Sequence, residues 1–478
     1  MAYCGYVVAI DKLRKHTNAD RLQIATVFGN DVVVGLDVQV GQLMVYFPTD
    51  GQLGEEYCKV NDLVRRKDEN GNPAGGYLDP DKRNIKAIRL RGEKSDGMLA
   101  PLTSLAEFTK ISDLKVGDQI TVLNGVEICK KYIPRRNHSS GSHAGSTGKR
   151  AKANFAPTFY EHVDTAQLAY NLNAFKAGDI VELTLKMHGT SGRTGYLPLV
   201  KTKRTWLDKL LRRHGKDYTE YGYVTGTRRT VLPEAKDNPN YSTGYYGDNE
   251  FRRAVAAMFE GKLRKGEVAY YEIVGFVNPA TPIMSSVKNS MIKDPEFTKQ
   301  YGEMTVFSYG CTPSPLKLMH VPEDWDGSMN GVVVTQDAPQ FDVYVYRMTM
   351  VNEDGDVVEM SPDQMRIRCE QMGIKYVPVF ERFIIPENPG EVLTDKAGDT
   401  DYGVCTPGEF VLRKAEKYFD GPDPIGKTHI REGVVARIVN RPDIAVYKHK
   451  NFSFKVLEGI IKDEADAPDM EEAQEAEG

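Results

Sequence analysis

The fold of most of this chain is decided by residues 181–191, which read VELTLKMHGTS. The first residues form a β-run that ends at Lys186, and Gly189 opens a turn soon after it. A lysine at a strand end, next to backbone N–H groups and hydroxyls, is well placed to act as a covalent nucleophile once burial or nearby cations depress its pKa. The pattern K-x-x-G-x-S is common by chance, however, so a surface lysine before a turn is the competing interpretation.

Five further elements follow Lys186 in order along the chain. They are Arg229-Thr230 in YVTGTRRTVL, Glu272 and Gly275 in YYEIVGF, Phe307 in MTVFSYG, Glu432 in HIREGVVAR, and Lys448 with Lys450 in AVYKHKNFSFK. Together with KMHGTS, this order resembles the covalent nucleotidyltransferases, the superfamily of polynucleotide ligases and capping enzymes. The K-x-H-G-[TA] form is similar to the nick-sealing RNA ligases, and the chain looks like their subgroup with an N-terminal OB domain. The resemblance covers 180–456 strongly and 1–128 loosely.

The resemblance implies an ATP-dependent RNA ligase that uses Mg²⁺ or Mn²⁺ and works through lysyl-AMP and RNA-adenylate intermediates. Lys186 would be the nucleophile, Lys448 and Lys450 further catalytic residues, and Glu432 the metal ligand. The implied partner is RNA in repair, as a nicked duplex, splinted or broken strand, with RNA/DNA hybrids as a second candidate. The residues that would bind ATP are Lys186, His188, Gly189, Arg229, Glu272, Phe307, Glu432, Lys448 and Lys450.

Elementary chemistry agrees with the implied roles of Lys448, Lys450 and Glu432. It also leaves an alternative interpretation for the two lysines and for the glutamate. Lys448 and Lys450 lie two apart on a β-run and so share one face, where an α-phosphate would relieve their mutual repulsion. Lysines that protect an edge strand against pairing are the alternative. Glu432 precedes an apolar β-run, where a carboxylate suits a divalent cation, although an ordinary strand-end acid fits as well.

The other implied ligands also have competing interpretations. Glu272 suits hydrogen bonds from ribose hydroxyls, or else an ion pair with a neighbouring arginine. Phe307 lies in an apolar run and by pattern alone belongs in a core; only the resemblance favours an adenine stack. Arg229 offers forked donors to phosphate or ribose, and Arg228 competes for that role. His188 is either a donor to phosphate or a structural imidazole.

Composition divides the chain into four segments. The mix of strand and helix patterns, together with the resemblance, predicts an α+β fold. Residues 1–128 predict an OB-type β-barrel that binds nucleic acid, with a barrel used only for packing as the alternative. Residues 129–157 form a basic, flexible linker, and 463–478 a disordered acidic tail. The resemblance implies that residues 158–462 form an adenylyltransferase domain of antiparallel sheets flanked by helices. The β-runs of the first segment are at 6–10, 22–27, 32–36, 43–47, 85–90 and 119–123, with a turn at 29–31.

Local signals predict several elements of the large segment. Ser361-Pro362 before an apolar pattern and Gly373 after it predict a helix between them. A second helix is predicted at 249–260, with Asp248 as its N-cap and Gly261 as its end. The predicted strands are at 181–186, 268–275, 304–309, 433–439 and 444–450, the last two joined as a hairpin.

Composition and short motifs also exclude several classes of protein. The 478 residues include 62 Lys+Arg and 67 Asp+Glu, a formal charge of −5. A basic stretch at 130–152 and the acidic tail permit a polyanion partner. There is no apolar run of about 18 residues, no secretory signal and no C-x-x-C pair among the six cysteines. We expect a reduced, cytoplasmic protein without a Rossmann or P-loop site, because neither glycine pattern is present.

Two segments and two other functions stay open at this stage. Residues 192–227 are longer than the matching gap in the family and interleave basic with aromatic residues, which suits RNA contact with stacking. A solvated helix explains WLDKLLRRH equally well. The function of 310–430, which separates Phe307 from Glu432, is also open. A capping-type guanylyltransferase and a non-catalytic OB-fold RNA-binding protein remain alternatives. We also expect 158–462 alone to form lysyl-AMP, because it contains every residue that would attack or position ATP.

Overall fold

The computed structural model describes residues 3–133, 155–211, 215–228, 231–232, 250–314, 316–320, 333–390 and 405–463. Most of the predicted linker 129–157, the tail after Asp463, Arg229-Thr230 and the predicted cap Asp248 lie outside the described residues.

Short antiparallel strands dominate residues 3–133. The six predicted β-runs are confirmed, although the last is divided into two strands. The elements are β1 Gly5–Ala9, β2 Lys12–Lys15, β3 Leu22–Val27, β4 Asn30–Gly35, β5 Leu43–Phe47, β6 Gly51–Leu53, α1 Glu55–Val60, β7 Arg65–Lys67, β8 Pro73–Gly75, β9 Ala87–Leu90, β10 Glu93–Asp96, β11 Met98–Pro101, β12 Gln119–Ile120, β13 Val122–Leu123, β14 Val126–Glu127 and β15 Cys129–Lys131.

These strands form several sheets, and no closed hydrogen-bonded barrel is seen in the described residues. One sheet has the order β11-β5-β1-β12, and β2-β3-β4 forms another. The β3–β4 hairpin turns at Phe28 and Gly29, one residue earlier than predicted, with φ of 50° and 76°. Two left-handed residues in sequence match the twist of a tight hairpin. The antiparallel architecture is confirmed, and the OB-type barrel stays a prediction.

The rest of the chain is built on two large sheets, in agreement with the predicted α+β class. The strands are β16 Ala166–Gln167, β17 Ile180–Lys186, β18 Thr190–Lys203, β19 Lys216–Gly226, β20 Val231–Leu232, β21 Glu267–Asn278, β22 Thr281–Pro282, β23 Val287–Lys288, β24 Met304–Thr305, β25 Leu316–His320, β26 Val333–Ala338, β27 Phe341–Val351, β28 Val357–Glu359, β29 Lys375–Tyr376, β30 Val379–Ile384, β31 Gly433–Ile438 and β32 Ala445–Lys450. The helices are α2 Trp206–Leu210, α3 Glu250–Phe259, α4 Pro295–Tyr301, α5 Pro362–Met372, α6 Pro407–Glu416 and α7 Phe452–Asp463.

The two sheets meet where β17 ends and β18 begins. The first sheet has the order β16-β32-β31-β17-β30, and the second runs β20-β19-β18-β21-β27-β28. In β17, Val181 and Leu183 are fully buried against α6 and its neighbours. Because side chains alternate along a strand, Thr184 and Lys186 face the opposite side, toward the second sheet.

Local signals account for the helices that the sequence predicted. Ser361 and Gln364 form a reciprocal capping box at the start of α5, and Gly373 ends it with a φ of 65°. The helix predicted at 249–260 is α3, and Gly261 follows it with a φ of 73°. The strand predicted at 304–309 is shorter, because pairing stops after Thr305. None of the described helices is long and apolar enough to cross a membrane.

Candidate active site

Lys186 is the last residue of β17 and pairs with Gly433 of β31. Its side chain is 23% exposed, and its Nζ lies 2.8 Å from Oε1 of Glu432, which is 2% exposed. The strand register therefore brings together a lysine and a carboxylate that are far apart in the sequence. A solvated surface lysine does not have this environment.

The two terminal lysines lie on the neighbouring strand, β32, which pairs with β31. Lys450 Nζ is 3.2 Å from the same Oε1 of Glu432 and 2.7 Å from Oε2 of Glu458 on α7. Burial, followed by the charges of Lys450 and Lys186, lowers the pKa of Lys448 to about 8. Burial and the two neighbouring cations thus favour the neutral form of the Lys448 amine.

His188 lies just beyond the nucleophile candidate and is buried. Burial lowers the pKa of its imidazole to about 4, so the ring is neutral at pH 7. Its Nδ1 is 4.0 Å from Oε2 of Glu432. Among the described residues, neither Nε2 of His188 nor Oε2 of Glu432 has a hydrogen-bond partner.

Glu272 and Tyr309 hold the turn after Lys186. Glu272 accepts hydrogen bonds from the Gly189 amide at 3.1 Å and the Ser191 hydroxyl at 3.2 Å. The Tyr309 hydroxyl accepts the His188 amide at 2.7 Å. A Cβ on Gly189 would meet the Ile273 carbonyl oxygen at 2.3 Å, so only glycine fits this approach to β21.

Phe307 is enclosed by other rings of the protein. It is 2% exposed, and its ring makes edge contacts with His188 at 4.7 Å, His429 at 5.3 Å and Phe454 at 5.7 Å between centroids. Protein rings therefore surround it, and it is absent from the residues that line the cavity described next. Its apolar run predicted a core position, which agrees with this burial, and the adenine contact implied by the resemblance stays a prediction.

A cavity of about 260 Å³ lies between the two sheets, next to the lysines. Arg228 lines it and pairs with Asp164, whereas its competitor Arg229 is not described. The first segment of the chain contributes Asp50 and Lys131 to the same wall. The predicted site residues that line it are Lys186, His188, Gly189, Glu272, Glu432, Lys448 and Lys450.

The residues of this site that sequence reasoning missed include Asp50, Lys131, Tyr309 and Glu458. Tyr309 stands two residues after Phe307 in the quoted aromatic motif and was the one with a usable signal. The others belong to segments whose packing no local pattern reveals.

The site offers a metal ion one carboxylate, Glu432, rather than a complete set of protein ligands. No group of three or more His, Cys, Asp or Glu side chains suited to a metal occurs in the described part of the chain. Oε2 of Glu432 is, however, a buried carboxylate oxygen without a hydrogen-bond partner there. Mg²⁺ is commonly held by one or two carboxylates together with substrate phosphates. Glu432 suits that mode, in which phosphates supply the remaining ligands.

Comparisons with known proteins give structural likeness at low identity. No protein-family model matches the chain, and no curated protein matches it significantly. A structure of Naegleria gruberi RNA ligase with AMP and manganese matches with a TM-score of 0.49 and 14% identity, over 94% of this chain and 97% of that one. Structures of the same ligase with pyrophosphate, and of a variant with ATP and manganese, give the same score and identity over 94% of this chain. At these values the likeness carries no argument about activity.

Proposed function

We propose that this chain is an ATP-dependent RNA ligase that joins RNA 3′-OH and 5′-phosphate ends. The observation that supports this most is the convergence of Lys186, Lys448 and Lys450 around one buried carboxylate beside a cavity. Three lysines crowded in one wall repel each other, and an anionic ligand such as a nucleotide phosphate would relieve that repulsion. The proposed natural substrate is nicked or broken RNA in repair.

The proposed reaction has three steps. The neutral amine of Lys186 attacks the α-phosphorus of ATP, so that an N–P bond forms while the bond to pyrophosphate breaks. An oxygen of the RNA 5′-phosphate then attacks the same phosphorus, which moves AMP to the RNA and frees Lys186. Finally the RNA 3′-OH attacks the 5′-phosphate, loses its proton and displaces AMP.

The surrounding residues would supply charge and orientation. Lys448 and Lys450 would stabilise the charge that develops on the α-phosphate. Mg²⁺ or Mn²⁺ held at Glu432 would neutralise phosphate charge when bound. Glu272 fixes the turn that follows Lys186 through Gly189 and Ser191, which keeps the nucleophile in line with the cavity. In this proposal its contribution is to orient the turn rather than to bind the ribose directly.

The remaining segments have proposed roles in binding RNA. Residues 1–128 would be an OB-type nucleic-acid-binding domain, 129–157 a linker, 158–462 the adenylyltransferase domain and 463–478 an acidic tail. The hairpin of β18 and β19 carries α2 at its tip, where Trp206 is 72% exposed. Lys203 and Arg204 next to it are also exposed, which suits stacking on a base with contact to phosphate. All six cysteines are buried free thiols, which fits a reducing cytoplasm.

The test begins with α-³²P-labelled ATP or GTP and the purified full chain. Label that stays on the protein with ATP, and is released by acid but not by alkali, supports a lysyl-AMP. Transfer from GTP alone would instead support a guanylyltransferase, and RNA binding without any adduct would support a non-catalytic protein. Sealing of nicks whose strands are varied between RNA and DNA then defines the substrate, RNA/DNA hybrids included.

A further inference from the structure

Helix α7 starts directly after the terminal lysine pair and is fixed to the site at its first turn. The Asn451 amide donates to the Glu432 carbonyl oxygen at 2.8 Å. The Asn451 side chain in turn accepts the Phe454 amide at 3.1 Å, as an N-cap does. The backbone next to the shared carboxylate and the start of α7 are therefore joined by one residue.

One side of α7 faces the reaction centre. Glu458 receives two hydrogen bonds from Lys450, at 2.9 and 2.7 Å, and its side chain is 7% exposed. Phe454, one turn earlier, is fully buried with its ring 4.8 Å from that of His188. Residues four apart lie on one helix face, so α7 presents a carboxylate and an aromatic ring together to the site.

The other side of α7 faces the first segment of the chain. Lys455 Nζ lies 2.5 Å from Asp96 Oδ2 of β10, with 14% and 5% of the two side chains exposed. Phe452 lies under two cations, Arg89 of β9 at 5.9 Å and Lys94 of β10 at 5.5 Å from its ring centroid. These contacts bring strands from the N-terminal segment against the helix that carries Glu458.

We propose that α7 is a positioning element for the proposed ligase reaction, and that Glu458 positions Lys450, which shares a strand face with Lys448, while Asp96 secures the helix from the N-terminal segment. The inference rests on the proposed function of the lysine pair. The N-terminal segment would then contribute to formation of the protein–AMP adduct, in addition to binding RNA. It also differs from the sequence-based expectation that 158–462 suffices for adenylation.

The charges around Lys448 show what the loss of Glu458 would change. Lys186 on β17, Lys450 on β32, Glu432 before β31 and Glu458 on α7 act on it, and burial is the largest influence. Asp50, Lys131, Glu182, Glu272, Arg228, Arg347, Arg366 and Arg437 line the same cavity. Glu458 favours the protonated form of Lys448, so its removal lowers the pH at which Lys448 loses its proton.

The experiment compares Glu458→Gln, Asp96→Asn and wild type by the rate of protein–AMP formation across pH 6–9.5. We expect Glu458→Gln to slow the step by about tenfold or more, and to move the alkaline limb of kcat/KM to lower pH by roughly half a unit. Glu458→Asp should recover part of the loss. Asp96→Asn should give a smaller loss of the same kind, and Asp62→Asn, which breaks an exposed pair with Arg66, should have no effect.

A second measurement separates this inference from the proposed function. Reductive ¹³C-methylation keeps lysines basic, and NMR titration of the methylated chain reads the pKa of Lys448 without turnover. A lower Lys448 pKa in Glu458→Gln supports positioning even if wild type forms no AMP adduct, in which case the proposed function alone fails. An unchanged pKa, or rate losses that follow only the loss of thermal stability with the pH profile unmoved, would overturn the inference.

Discussion

Lys186 and Lys450 contact the same oxygen atom. Their Nζ atoms lie 2.8 and 3.2 Å from Oε1 of Glu432. One carboxylate balances only one ammonium charge, and Glu458 supplies the second for Lys450. Lys450 is therefore held by two acids and Lys186 by one, so the nucleophile candidate is the more easily released when an anionic ligand competes.

The assignment of the nucleophile predicts the result of replacing it. Lys186→Ala should abolish the protein–AMP adduct and all sealing of RNA with a 5′-phosphate, because no amine remains to attack ATP. The variant should still seal RNA supplied with a preformed 5′-adenylate. Lys299→Ala, an exposed lysine on α4, is the matched control and should behave as wild type. An acid-labile adduct on the Ala variant would contradict the assignment.

The two acids around Lys450 predict that a second substitution restores stability, but not activity, to a variant that lacks this lysine. Lys450→Met leaves two buried carboxylates with less compensation, which should cost about 3–5 kcal/mol of unfolding free energy. Adding Glu458→Gln should restore much of that stability but none of the AMP transfer, because the cation for the phosphate is still absent. Urea unfolding and adduct formation on the single and double variants measure both. Recovery of activity in the double variant would rule out a phosphate-binding role for Lys450.

Burial of His188 predicts a loss of stability in acid. The folded pKa is about 4 and the ordinary value 6.5, so the unfolded chain binds more protons between these limits. The unfolding free energy should therefore fall as pH drops through this window, by about 3 kcal/mol from this residue. His188→Phe keeps an aromatic ring and should flatten the slope. The same slope in both proteins, measured by chemical denaturation from pH 7 to 4, would count against a buried neutral imidazole.

Participation of the N-terminal segment in the cavity predicts an effect on the nucleotide step. Lys131→Ala removes a cation from the wall that it shares with Lys186, so the rate of adduct formation should fall by about tenfold at subsaturating ATP. The control is Lys110→Ala, which removes an exposed lysine whose Nζ lies 3.8 Å from Oδ1 of Asp113. Equal rates of adduct formation for the two variants would mean that the N-terminal segment contributes to RNA binding and not to the reaction with ATP.

The exposed tryptophan predicts a defect confined to RNA. Trp206→Ala should raise the KM for RNA by about tenfold, since stacking on one base contributes about 1–3 kcal/mol. Adduct formation with ATP should not change. Ile367→Ala, which removes another exposed apolar side chain, controls for general surface effects. Unchanged sealing kinetics in Trp206→Ala would show that Trp206 does not contribute to RNA binding.

Local signals explain what could be predicted from the sequence. The capped helix α5, the hairpin of β31 and β32 and the strand that ends at Lys186 all depend on neighbouring residues, and all are confirmed. Period-two alternation then places Lys448 and Lys450 on one face of β32, and pairing of Lys450 with Gly433 puts Lys450 next to Glu432.

Long-range packing explains what could not be predicted. Glu458 reaches Lys450 only because α7 turns back over the end of β32, and Lys131 reaches the cavity from a separate sheet. Phe307 was ambiguous for the same reason, because an apolar side chain becomes part of the core or a ligand contact according to what packs around it. Here His188 and Phe454 occupy its surroundings.

The backbone amides of the turn after Lys186 also provide a way to monitor the site in the absence of ATP. The amides of His188 and Gly189 donate to side chains, Tyr309 and Glu272, and not to a strand partner. Their exchange with deuterated solvent therefore depends on two side-chain contacts that can open without any unfolding of a sheet. Protection at these two positions would report how tightly the turn is closed in the absence of ATP, and an increase on adding nucleotide would register ligand arrival before any bond is made.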